Sequence, residues 1–273
     1  MRTHEFRMVN RRIQISMRKP KPSIFLNSLI FAVVLHLATS CDRAAEKKES
    51  VQAKELSEQV APELEEGWEY LFDGTNLDAW RTYMKDSIVG EWEISDRALV
   101  YRPHPDSAHG MNNLITRKKF KSFELALEWK IEKDGNSGVF YGILEDEKYV
   151  VPYMTAPEVQ LRDYSSDPDF SDKLQMSGAI FGIVGPEEDV ARPAGEWNEL
   201  FVTVDRENNV GKVVLNGKEL FSYPVQGEEW QKLVDASKFK DWEGFSAIES
   251  GHIGLQDHAH EIWFRNIRIK ELK

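Results

Sequence analysis

The sequence predicts an all-β protein folded as a two-sheet jelly-roll sandwich, on three observations. From Gly67 onward the chain breaks into about a dozen short runs rich in β-branched and aromatic residues, the density of a sandwich or barrel. Asp73-Gly74, Asp134-Gly135, Asn208-Asn209 and Asn216-Gly217 separate those runs with residues suited to turns. Helical periodicity is nearly absent, and Glu228 to Phe239 is the main candidate for a short helix.

In chain order the strand-like runs are 68–72, 92–94, 98–102, 113–116, 122–131, 138–144, 158–162, 179–183, 197–205, 212–215, 219–224, 252–256 and 262–269. Within 122–131, Phe123, Leu125, Leu127 and Trp129 alternate with Glu124, Ala126, Glu128 and Lys130, as in a half-buried strand with a solvated charged face. Asn216-Gly217 joins two runs as a tight hairpin. The run 262–269 is β-branched and aromatic, and 252–258 sets Ile253 and Leu255 against Gly254, Gln256 and His258. No internal repeat is visible. These runs place one β-sandwich domain at residues 67–273, where all eight Trp lie.

The N-terminal part has a different character. Residues 1–41 read as a secretory signal: seven basic residues against one acid before Cys41, then an apolar run at 24–37, then small residues. That run is short for a membrane span, which needs roughly 20 residues. Cys41 is the only cysteine, so an intrachain disulfide is excluded. Its place after the apolar run is that of a bacterial lipobox, so Cys41 is the expected lipidation site; an ordinary cleavage site beside a chance cysteine is the other reading. Met17 begins a compact version of the same signal. Residues 42–66 are charged and lack aromatics, as in a flexible tether, with a helical turn at 51–60. The expected location is the bacterial cell envelope, with membrane contact through the lipid anchor only.

The whole chain carries a formal net charge of −11, and losing the basic leader makes the remainder more acidic. Such a chain repels nucleic acid and anionic membrane, so its partners are neutral, cationic or metal-bridged.

Four stretches carry candidate chemistry. Gly135-Asn136-Ser137-Gly138 reads as a tight turn, or as a sheet edge where Asn136 offers hydrogen bonds. In Pro157 to Asp163, Val159 and Leu161 share one face, while Glu158, Gln160 and Arg162 share the other. A carboxylate, an amide and a guanidinium in line suit a sugar or a metal; a solvated strand face is the plain alternative. Trp197 opens a strand and is either a sugar-stacking platform or core. Gln256-Asp257-His258 is the sharpest signal, because imidazole titrates near neutrality and serves as a general base or a metal ligand; a satisfied structural histidine is the bland reading. No EF-hand, HExxH, GxSxG, P-loop or dinucleotide-binding glycine motif occurs.

These segments, in this order, resemble the 3-keto-disaccharide hydrolase-like family, also known as DUF1080. The matching pieces are Leu71-Phe72-Asp73-Gly74-Thr75-Asn76-Leu77 with Trp80, Gly135 to Tyr141, Pro157-Glu158-Val159-Gln160 and Gly195-Glu196-Trp197-Asn198. Leu215-Asn216-Gly217, Ser237-Lys238-Phe239 and Gly254-Leu255-Gln256-Asp257-His258 with Phe264-Arg265-Asn266-Ile267 complete them. The resemblance implies a concanavalin-like jelly roll in an exported carbohydrate-active hydrolase. Its substrates would be 3-keto-glycosides or 3-keto-disaccharides, cleaved by elimination and hydration or by direct hydrolysis. A non-catalytic carbohydrate-binding module on the same fold is the alternative. Carried over to this chain, His258 and Glu158 are the acid/base pair or the ligands of a divalent metal ion such as Ca or Mn. Gln160 and Gln256 would orient sugar hydroxyls, with Asn136 and Tyr141 at the groove rim and Arg162 and Trp197 as further substrate contacts. A sugar 3-dehydrogenase is the implied functional partner. The chain departs from the family pattern at Lys212-Val213-Val214, Tyr164, Gly142 and Ala259.

Overall fold

A computed structural model describes residues 63–104, 110–167 and 169–273. The expected signal, the lipidation site at Cys41 and nearly all of the tether lie outside the described residues.

The domain is two antiparallel sheets. The larger holds β1 (Trp68–Phe72), β3 (Trp92–Ser95), β4 (Ala98–Tyr101), β6 (Phe123–Ile131), β9 (Asn198–Asp205), β10 (Val210–Leu215), β11 (Lys218–Tyr223) and β13 (Ile262–Glu271). Its order is β11-β10-β9-β6-β13-β4-β3, with β1 also paired to β13. The smaller holds β2 (Trp80–Thr82), β5 (Leu114–Thr116), β7 (Asn136–Ile143), β8 (Glu158–Arg162) and β12 (His252–Leu255), in the order β2-β5-β12-β7-β8. One α-helix, α1 (Gly227–Asp235), follows β11.

Period-two alternation builds the core between the sheets. In β9, Leu200, Val202 and Val204 point inward; from the small sheet come Val139, Val159, Leu161, Ile253 and Leu255. In β13 the alternation slips: Ile262 and Phe264 face the core, then Ile267 and Ile269. A β-bulge between Arg265 and Arg268, with Asn266 at φ 51°, absorbs the extra residue and keeps both halves of the strand inward. Glu128 holds the bulge from β6, accepting from the Arg265 guanidinium at 2.6 Å and from Asn266 Nδ2 at 2.5 Å. At the β10–β11 hairpin, Asn216 and Gly217 take φ values of 52° and 79°, as a tight hairpin turn requires.

Three elements differ from expectation. The run 179–183 is not a strand; Ile180 bridges β8 and then folds back onto Val184 in a tight turn. Trp80–Thr82 is a strand, anchored by the buried Trp80 indole donating to the Leu71 carbonyl at 2.7 Å. The helix stops at Asp235, where Ser237 Oγ donates to the Val234 carbonyl. One site residue also moves. Tyr141, expected at a groove rim, lies in the inter-sheet core, its hydroxyl 2.9 Å from that of Tyr223. Burial pushes the Tyr141 phenol pKa well above its ordinary value.

Phe264 is fully buried on the inner face of β13. Phe264→Ala is expected to cost about 3–5 kcal/mol, through lost transfer energy and the cavity left behind. Urea unfolding checks this, with a lowered midpoint at an unchanged slope.

Candidate active site

A pocket of about 340 Å³ opens on the outer face of the small sheet. Asn136, Glu158, Gln160, Gln256 and His258 line it from the strands and their ends, and Tyr153, Phe181, Lys238 and Phe239 line it from loops. The strand residues face outward because their neighbours face inward. Val159 and Leu161 are fully buried, so Glu158 and Gln160 must point away from the core; Ile253 and Leu255 do the same for Gln256.

Register then brings the two segments together across β7. Gly138 pairs with Gln160 on β8, and on the other side its carbonyl accepts from the Gln256 amide at 2.9 Å. Glu158 sits opposite Phe140 and leans over Gly138. A Cβ at position 138 would stand 2.2 Å from Glu158 Oε1, so glycine is required for the carboxyl to lie there. From that position Glu158 reaches the Gln256 side chain in a hydrogen bond.

The remaining polar groups form a chain along the wall. Gln160 Nε2 donates to Asn136 Oδ1 at 2.6 Å, and Asn136 Nδ2 lies 3.4 Å from each ring nitrogen of His258. Gln256 Oε1 is buried with no hydrogen-bond partner among the described residues.

Burial dominates the electrostatics. It pushes the Glu158 carboxyl pKa up to about 8, although Lys238 and the Gln256 hydrogen bond both pull it down. By exposed surface Glu158 is half-buried at the pocket wall, and the raised pKa favours its protonated form at neutral pH. Burial lowers the Lys238 pKa, opposed by the nearby Glu158.

The neighbours of His258 are structural. Asp257 is fully buried and accepts from the Asn112 amide at 2.9 Å, fixing the loop before β5; burial pushes its pKa up to about 7. His252 is buried with Nδ1 2.6 Å from the Thr116 carbonyl, and His260 Nδ1 lies 2.7 Å from the His258 carbonyl.

Two expected substrate contacts lie elsewhere. Arg162 shares the face of Glu158, but its guanidinium donates to Gln175 at 3.1 Å and covers the Phe170 ring, outside the pocket lining. Trp197 is half-buried just before β9 of the other sheet, with the Arg265 guanidinium 4.0 Å from its ring centre and Lys130 at 5.2 Å. Sequence reasoning had assigned no role to Tyr153, Phe181 or Lys238. Tyr153 is exposed and packs against Trp242 at the pocket wall, in a segment with no periodicity to mark it.

The residues present suit a resident divalent cation poorly. Among the described residues no group of three His, Cys, Asp or Glu side chains could hold a metal. Glu158 is the only carboxylate among the described residues that line the pocket, it favours its protonated form, and an ammonium shares the space. Ca²⁺ asks for six to eight oxygen ligands.

A jelly roll with a sugar-sized pocket, walled by aromatic rings and holding an acid, an imidazole and three amides, defines a carbohydrate-active protein. Its relatives define the class further. A 3-keto-disaccharide hydrolase from Bacteroides thetaiotaomicron is 33% identical over 257 residues, covering 84% of this chain and 87% of that one. The crystal structure of a candidate glycosyl hydrolase from Parabacteroides distasonis is 26% identical, with a TM-score of 0.70, covering 79% of this chain and all of that one. A second from the same organism is 25% identical, with a TM-score of 0.56, covering 75% and 99%. The protein is a glycoside-hydrolase-type enzyme on a two-sheet jelly roll. Residues 67–270 match the 3-keto-α-glucoside-1,2-lyase-like domain, and the chain belongs to that family.

Gly138→Ala is expected to fold while displacing the Glu158 carboxyl. Glycoside turnover should fall ~100-fold, the scale of an ångström-sized misplacement. A crystal structure of the variant, with kinetics, checks both parts.

Proposed function

We propose that the pocket cleaves glycosides whose sugar carries a ketone at C3, by elimination followed by hydration. The observation that carries this reading is the carboxyl of Glu158, its pKa raised, in one pocket with the His258 imidazole. A C3 ketone acidifies the C2 proton, because the carbanion delocalises as an enolate. His258 takes that proton. The enolate collapses to a C1–C2 double bond as the C1–oxygen bond breaks, and Glu158 gives its proton to the departing oxygen. Water then adds at C1, Glu158 recovers a proton from it, and His258 returns one to C2. The sum is hydrolysis. Gln160, Gln256 and Asn136 orient the sugar hydroxyls. The description of the matched family as a 1,2-lyase-like domain and the substrate named for the Bacteroides relative support the same chemistry.

The substrate must come from oxidation of a C3 hydroxyl, so a sugar 3-dehydrogenase is the expected supplier. We place the enzyme in the cell envelope, exported and anchored through Cys41, on the strength of the leader sequence. Cys41→Ala is expected to move the protein from the membrane to the soluble fraction, and cell fractionation with a lipid label reads this.

With a 3-keto-disaccharide, Glu158→Gln and His258→Ala should each lower kcat by ~100-fold or more. Glu158 works in its protonated form, so turnover should fall as pH rises through about 8 and the protonated fraction declines. Prior treatment with EDTA should leave the rate unchanged. A rate that climbs through the same pH range, or one abolished by EDTA and restored by a divalent ion, contradicts these assignments.

A further inference from the structure

The reaction proposed above builds negative charge on one atom, the C3 oxygen of the enolate. Lys238 is the only lysine or arginine among the described residues that line the pocket. It follows α1 in a short loop whose shape is set locally. Ser237 Oγ donates to the Val234 carbonyl at 2.7 Å and accepts from the Phe239 amide at 3.1 Å. The Phe239 ring stacks on Phe245 with centroids 4.2 Å apart, which fixes the backbone on the other side of the lysine.

The ammonium of Lys238 has no hydrogen bond and no carboxylate within 4.0 Å among the described residues. Aromatic faces hold it instead: it lies 4.1 Å from the Phe181 ring centre and 5.0 Å from that of Phe239. Lysines elsewhere in the domain, such as Lys121 and Lys148, reach out to glutamates at the surface. Aromatic contacts orient a cation without using up its N–H groups, so Lys238 keeps donors free at the pocket mouth, where the residue is exposed. Phe181 is itself fixed, because its amide donates to the Glu158 carbonyl at 2.9 Å. The ring that holds the cation and the carboxyl are thus mounted on adjoining backbone.

We infer that Lys238 is a catalytic residue whose ammonium binds the C3 oxygen of the substrate and stabilises the enolate. This rests on the reaction proposed above. No bond forms to the lysine: its charge lowers the energy of the enolate while His258 holds the C2 proton. A cation held against aromatic faces and meeting a developing oxyanion contributes more in the transition state than in the ground state.

The test compares wild type with Lys238→Met and Lys238→Arg on a 3-keto-disaccharide. It also follows exchange of the C2 proton of 3-keto-glucose in D2O by NMR. Lys238 is exposed, so the variants should melt with the wild type. Lys238→Met is expected to lose roughly 100-fold in kcat, the cost of removing one oxyanion donor, with C2 exchange slowed in parallel. Lys238→Arg should recover most of both. Lys238→Met within threefold of an active wild type, or loss of kcat with C2 exchange intact, would overturn the role of Lys238 alone. A sugar adduct on Lys238 after borohydride reduction would overturn it too, since that is a covalent role. A wild-type enzyme inert on the 3-keto-disaccharide and without C2 exchange would overturn the proposed reaction and this role with it.

Discussion

Everything at the pocket depends on one half-buried carboxyl laid across a glycine. Glu158 can occupy its position only because Gly138 has no side chain there, and it reaches Gln256 only because β7 separates β8 from β12 by one strand. The inner residues of those strands leave no freedom in the matter. Val159, Leu161, Ile253 and Leu255 are fully buried, so a one-residue slip of either strand would expose them and turn the pocket residues inward. Core packing therefore holds the site in register.

The same arrangement has an energetic consequence. Burying a carboxyl is unfavourable, and far more so when it is ionised. The group responds by keeping its proton to about pH 8, well above the ordinary value of 4.5. Folding favours the protonated form, so its contribution to stability is greatest below the unfolded pKa and declines as pH rises from 4.5 toward 8. The carboxyl lies at the pocket wall and not in the core, which stays apolar and continuous from Leu71 on β1 to Ile269 on β13. A proton held at neutral pH is what a leaving oxygen needs, and the Lys238 ammonium is what an enolate needs.

Much of the architecture was legible in the sequence, because period-two alternation and turn dipeptides are local signals. Glu158–Arg162 follows the predicted bounds, and Asn216-Gly217 makes its hairpin. The pocket was legible as two polar strand faces but not as one site, since their meeting depends on long-range register across Gly138. Tyr141 shows a signal that was present and unused. It shares strand parity with Ser137 and Val139, which face inward, and not with Asn136. Trp197 likewise shares parity with Glu199 and Phe201, on the outer face of the other sheet. Arg162 has the right parity but stands four residues from Glu158, roughly 13 Å along a strand. Lys238 lies within a family motif, yet a loop after a helix carries no periodicity to aim its side chain.

The account turns on the protonation of Glu158. Carbon-13 NMR of the protein labelled at its glutamate carboxyls, titrated from pH 4 to pH 10, measures it directly, with Glu158→Gln assigning the resonance. One carboxyl titrating near 8 in the ligand-free protein, and absent from the variant, is the expected result. A Glu158 resonance titrating in the ordinary carboxylate range, near 4.5, would contradict it.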